Sequence, residues 1–365
     1  MVALASSVRQ VVRVTGNFQS ETALNPLARE ALIAAMDSGW ADPKKIGQVP
    51  SQAANLRASA IESIATNLGI NPDQIEISGE VGLGYFLALG GFLDSHRKLY
   101  YGAGDRSGSI ATARSHKGES EIIPLSKYGS LDFQKVNITN NSILSLQLAN
   151  GETGAINQLT QSVPEDLLIA VDATASGSRL ALPTNWSSAV FDSRSWEGPS
   201  GLAIVAISDA ANWRNPLPHI SAVRRTYGTF SLPLLIASAV ALENFNPDDA
   251  NIRKLTSKLR RDISTKIPNA IIAGDLEKSL PHLTSFVFPK CNGEEILRGL
   301  SARGLTVDSG SACTAMNLQP SHVLAAMGLE TDGNIRITLH AQTTEDEVTL
   351  LINALVDEVQ SQQQR

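Results

Sequence analysis

Cysteine is nearly missing from this chain: Cys291 and Cys313 are the only two among 365 residues, too few for a disulfide framework. Neither belongs to a CxxC pair, and no HExxH spacing occurs, so no metal site is expected. Charge is sparse as well. Only 18% of residues are charged, with 30 Lys+Arg against 36 Asp+Glu and no basic block, which leaves no footprint for nucleic acid and no polybasic patch for a membrane surface. The start MVALASSVRQVVRVTG is broken by Arg9 and Arg13, and no apolar run reaches the length needed to span a bilayer. A reducing, cytoplasmic location is the expectation. Lysine has a gap of its own, none lying between Lys135 and Lys254.

What the chain does have is apolar content, 42% of residues, and a length above that at which one core stops growing. Two domains are expected. PLAREALIAAMDSG, opened by Pro26 and stopped at Gly39, and SQAANLRASAIESIATNLG, ended by Gly69, read as one-sided helices. Short apolar runs then recur between turn residues: 75–78, 98–102, 121–125, 143–148, 167–172, 188–191 and 201–207. Several are continuous in Ile, Leu and Val, the pattern of strands covered on both faces, with helix-like segments such as EVGLGYFLALGGFL between them. The fold class read from this is α/β, a large domain with a mostly parallel sheet sandwiched by helices over 17–246. Residues 1–16 and 247–365 form a smaller α+β domain, whose last helix opens with a capping box at Thr344 and Glu347.

In open α/β sheets ligands collect at the carboxyl ends of strands, so the junctions there carry the candidates. Ser78-Gly79 ahead of a helix offers either an anion site or an ordinary turn. Asp172, ending LLIAVD, either pairs with a ligand cation or caps the next segment. In the junction 193–201, Trp196 reads as packing. Cys313, among small residues in SGSACTA, is either a reachable thiol or a buried inert one. Arg336, alternating with Ile335 and Ile337, points away from their face toward a carboxylate ligand or into an ion pair.

Longer segments tie these junctions together. SGEVGLGYFLALGG, ANGETGAINQL, VDATASG, EGPSGLAIV, YGTFSLP, LPHLTSFVF, DSGSACTAMNLQPSHVLAAMGL and IRITLHAQTTEDEV resemble, in order and over most of the chain, the cysteine desulfurases. These are class V aminotransferase-fold proteins (fold type I) that use pyridoxal phosphate to take sulfur from L-cysteine. The resemblance implies that Cys313 accepts sulfur as a persulfide, Asp172 partners the pyridinium nitrogen and Arg336 binds the substrate carboxylate. It further implies that Thr229 lends a phosphate contact to a neighbouring subunit and that Ser193 belongs to the cofactor-binding set. A homodimer is implied, or a heterodimer with a true desulfurase, together with a sulfur-acceptor protein.

The cofactor chemistry also needs a lysine, for the Schiff base and for moving the substrate's α-proton. Where the family has Ser-x-His-Lys before Gly-Pro-Lys-Gly, this chain reads SRSWEGPSG, placing Trp196 on the lysine and Ser195 on the histidine. Glu80-Val81 replaces the family's Ala-Thr, and GDRSGS lacks the stacking histidine. Arg194 is no substitute, since its guanidinium stays protonated and forms no imine. The expectation is a desulfurase-like pseudoenzyme without covalently bound pyridoxal phosphate, acting as a sulfur-relay or partner subunit through Cys313. The alternatives are an active pyridoxal-phosphate desulfurase, a regulatory heterodimer subunit, and a pocket repurposed for another small anion.

Overall fold

The apolar runs between turn residues become strands in the computed structural model, which describes residues 16–38, 41–159, 161–217, 230–310 and 320–364. In chain order the strands are β1 (Asn17–Phe18), β2 (Ile75–Ser78), β3 (Lys98–Gly102), β4 (Ser120–Ile123), β5 (Ser142–Gln147), β6 (Leu168–Asp172), β7 (Ser188–Asp192), β8 (Ala203–Ile207), β9 (Ile271–Ala273), β10 (Leu283–Val287), β11 (Thr306–Val307) and β12 (Asn334–Thr338). The helices are α1 (Pro26–Ser38), α2 (Gln48–Leu68), α3 (Val81–Gly90), α4 (Ser107–Arg114), α5 (Leu232–Glu243), α6 (Asp249–Lys266), α7 (Gly293–Ala302), α8 (His322–Ala326) and α9 (Glu345–Gln363). None of the described helices is long and apolar enough to cross a membrane.

Local chemistry sets several boundaries. Gly69 ends α2 at φ 68°, returning its N–H to the carbonyls of Ala65 and Thr66, a left-handed cap that costs glycine nothing. At the start of α9 the Thr344 hydroxyl and the Glu347 carboxylate satisfy each other's backbone amides.

Seven strands form one sheet in the order β2-β8-β7-β6-β5-β3-β4. The pairs from β4 through β7 are parallel, while β8 runs antiparallel to both β7 and β2. The side-chain period of two sorts residues to opposite faces. Ala189, Phe191, Ile204 and Ala206 join the core against α2 and α5, whereas Val190, Val205 and Ile207 join the core under α3.

Beyond α5 a three-stranded antiparallel sheet, β12-β10-β9, packs with α6, α7 and α9 in a separate core. The short strand β1 pairs in parallel with β11, and Phe18 is buried in that second core. Residues 17–18, expected to open the first unit, therefore pack into the second, because the ladder of Asn17–Phe18 lies on Thr306–Val307.

Candidate functional site

Parallel pairing brings the carboxyl ends of β5, β6 and β7 to one rim, with Gln147 opposite Asp172 and Asp172 opposite Val190. A cavity of about 470 Å³ opens there, and β12 with its neighbour His282 closes it from the second unit. Its charged wall residues include Glu80, Arg106, Asp192, Arg194 and Arg336; among the described residues no lysine lines it.

The first amides of α3 face this rim. Glu80 takes them: its carboxylate accepts from Gly82 N at 2.6 Å and Leu83 N at 2.7 Å. Those N–H groups are what a helix N-terminus offers a phosphate, so the chain's own anion stands in the anion's place. The Ser78 hydroxyl turns back to the Glu80 carbonyl, and the Ser78-Gly79 junction is thus a capped turn. Glu80→Ala is expected to cost about 1 kcal/mol of stability, the usual worth of an N-cap. It should also leave free amides, so that inorganic phosphate raises the melting temperature of the variant and leaves that of the parent unchanged.

Asp172 is buried and stands behind the cavity wall. One carboxylate oxygen accepts from the Thr174 amide (2.9 Å) and hydroxyl (2.6 Å), and the other lies 3.4 Å from Gln147 Nε2. Thr174 in turn meets the Tyr85 hydroxyl at 2.7 Å. Burial, reinforced by the Asp172 charge, raises the Tyr85 phenol above its usual range, so it stays protonated and bonds as a neutral hydroxyl. Arg106, in the junction GDRSGS, reaches the same rim, where the charges of Asp172 and Asp192 act on it. It forms no ion pair with either among the described residues.

In the loop after β7, Trp196, placed by alignment on the lysine and read as packing, is fully buried in the core and does not line the cavity. Its ring packs 6.4 Å from the ring of Phe191, and its indole N–H points to Ser238. The reason is the one-turn helix of residues 193–196, which turns the apolar ring under α5. Ser195 and Arg194 face the cavity instead. Arg194 is clamped by Asp192, with Nη2 at 2.7 Å and Nε at 3.0 Å from one oxygen. Ser193, expected near the cofactor, is buried and donates to the Ser238 hydroxyl at 2.8 Å, away from the cavity.

Arg336 does both things its alternation with Ile335 and Ile337 allowed. Its side chain lines the cavity, and Nη2 pairs with Asp308 at 2.8 Å while Nη1 donates to the Gly151 carbonyl at 3.2 Å. Burial, then the nearby Arg179, lowers the His282 imidazole well below its usual range, and His340 is lowered by burial too; both rings are neutral at pH 7. Thr229 and Cys313 lie outside the described residues. The residues flanking 311–319 are tied to one point: the Gly310 amide donates to Asn334, and both Asn334 and Ser321 donate to the Glu152 carboxylate at 2.8 Å. Among the described residues no group of His, Cys, Asp and Glu has the makings of a metal site.

These residues do not fit pyridoxal phosphate, the coenzyme the resemblance implies. Among the described residues the cavity has no amine to form the imine, the α3 amides are already capped by a carboxylate, and the Asp172 oxygens are bonded within the chain. Sequence reasoning missed Arg106, Thr338 and His282 as cavity residues. Arg106 had a signal, since it stands in the short connection between the end of β3 and the start of α4; His282 and Thr338 meet only through the pairing of β10 with β12.

The comparisons with known proteins agree with this architecture. A family model described as aminotransferase class-V matches residues 107–351. A cysteine desulfurase of Nostoc sp. is 30% identical over 260 residues, 65% of this chain and 64% of that protein, so the match spans less than two thirds of that relative. A cysteine desulfurase of Pongo abelii is 24% identical over 376 residues, 93% of this chain and 80% of its own. Among solved structures, a NifS-like protein from Rickettsia africae superposes with a TM-score of 0.80 at 20% identity, covering 95% of this chain and 99% of that one. The apo cysteine desulfurase from Thermococcus onnurineus gives 0.75 at 16% identity, covering 95% of each. These two speak for the fold alone. With the family model spanning most of the sequence and the relatives concordant, the chain belongs to the aminotransferase class-V family.

Proposed function

We propose that this desulfurase-like chain does not run pyridoxal-phosphate chemistry on its own and serves as a sulfur-relay or partner subunit through Cys313. The observation that carries the first half is the Glu80 carboxylate seated on the α3 amides above a cavity whose lining holds no lysine. The second half rests on the SGSACTA segment, which resembles the family's persulfide loop, and on the firm anchoring of its flanks at Glu152. In the relay step the Cys313 thiolate attacks the terminal sulfur of a donor persulfide. The donor's S–S bond breaks, the donor leaves as a thiolate, and a new S–S bond forms on Cys313 at unchanged overall oxidation level.

Two measurements test this. Incubation with pyridoxal phosphate is expected to give no visible-region aldimine band that borohydride abolishes; such a band would restore the active-enzyme reading. Exposure to a small-molecule persulfide is expected to add one sulfur, lost in Cys313→Ser. Cys291 serves as the internal control, because it is only 3% exposed and burial raises its thiol above the usual range, keeping it from supplying thiolate. Absence of label at Cys313 under conditions that load a desulfurase would remove the relay.

A further inference from the structure

Six buried side-chain atoms lack a hydrogen-bond partner among the described residues, and four of them belong to residues lining one cavity: Arg106 Nε, Arg336 Nε, His282 Nδ1 and Thr338 Oγ1. Buried polar groups are nearly always satisfied, and leaving one unmade costs on the order of 1–3 kcal/mol. Four such atoms around one space point to a partner that the described residues do not supply.

The chemistry of the four narrows that partner. The Arg106 side chain makes no hydrogen bond and no ion pair among the described residues. The other three arginines on the wall are committed, Arg179 to Asp249, Arg194 to Asp192 and Arg336 to Asp308. The unspent cation therefore belongs to Arg106, and a planar guanidinium matches a carboxylate. Arg106 and Arg336 also converge: any side chain on Gly151 would collide with the Arg106 guanidinium, while the Gly151 carbonyl accepts from Arg336. Two residues along β12 from Arg336 and on the same face, Thr338 pairs in register with Leu283, next to His282. Thr338 is only 6% exposed, so its free hydroxyl has no ready access to bulk water. Together these two offer neutral hydrogen bonds. Phosphate suits the cavity less well, because Glu21, Glu80 and Asp192 also line it and oppose a second negative charge.

We infer that this cavity binds a small organic monocarboxylate bearing a hydroxyl or keto oxygen, its carboxylate held by Arg106 with Arg336 Nε and its neutral oxygen by Thr338 and His282. The inference rests on the reading that the coenzyme does not occupy the cavity.

Calorimetric titration of the full chain with L-lactate, pyruvate, acetate and inorganic phosphate tests it. Lactate or pyruvate is expected to bind at millimolar concentration or below, acetate more weakly and phosphate not at all. Arg106→Gln should weaken lactate or pyruvate binding about 10-fold or more, the loss expected for a hydrogen bond to a charged group. Thr338→Val, nearly isosteric, should keep the fold and weaken binding several-fold. No heat from either ligand, equal binding of phosphate, or unchanged affinity in both folded variants would overturn the assignment. A borohydride-sensitive aldimine band would instead remove the reading beneath it, whereas silence toward both coenzyme and carboxylates removes this inference alone.

Discussion

Trp196→Lys is expected to leave the chain unfolded or at least about 4 kcal/mol less stable, while Ser195→Lys stays folded within about 1 kcal/mol of the parent. The two positions are adjacent and face opposite ways. Trp196 fills core space beside Phe191 and beneath α5, so the substitution removes a large buried ring, which alone costs about 3–5 kcal/mol. It also forces an ammonium into apolar surroundings. Ser195 faces the cavity, and its hydroxyl gives up one bond, to the Asp192 carbonyl. Urea unfolding followed by circular dichroism separates the outcomes. Equal stability of Trp196→Lys and parent would show that the indole is not a core residue, and with it the account of this loop would fall.

A pH effect of comparable size is expected from Asp105. The residue is 1% exposed, one carboxyl oxygen has no partner among the described residues and the other accepts from the Ser145 hydroxyl at 2.8 Å. Burial outweighs that hydrogen bond and, with the Asp172 charge adding to it, pushes the group up to about 7. The folded state thus holds its proton more tightly than the unfolded chain does, near the usual 3.8. The stability this contributes is fully present below about pH 4 and drains away as pH rises to about 7, at roughly 1.4 kcal/mol per pH unit. Between pH 5 and pH 8 the parent should lose on the order of 2–3 kcal/mol relative to Asp105→Asn, which has no such proton to release. Parallel urea titrations of both proteins at the two pH values measure the difference. A constant gap would mean that Asp105 ionises in the fold at its ordinary pKa.

The strands were legible because a sheet covered on both faces demands continuous apolar runs, and LLIAVD, SAVF and GLAIVAI meet that demand whatever their neighbours do. Helix ends were legible where a single residue decides them, as Gly69 does at the end of α2 and Thr344 with Glu347 at the start of α9. Which side of a one-turn helix faces a cavity is a different kind of question. At Trp196 the bulk of the indole signalled packing, whereas the way its neighbour Ser195 faces depends on how that indole seats under α5 and is invisible in sequence. The replacement of a phosphate by Glu80 was half legible. A carboxylate at that position signals repulsion, but its service as the helix cap depends on how the chain enters α3. GDRSGS was informative for the histidine it lacks, and the arginine it contains became meaningful only once no partner for it was found.

The antiparallel run of β8 has a consequence for the order of synthesis. Among the described strands β2 pairs only with β8, and α1 and α2 both pack on α5. Helices α1 and α2 therefore wait for α5, and β2 waits for β8, before they can cover their apolar faces, a long-range closure of the kind that slows folding and exposes nascent chains to aggregation. A ribosome stalled midway through this message would hold α1, α2 and β2 without the elements they pack on.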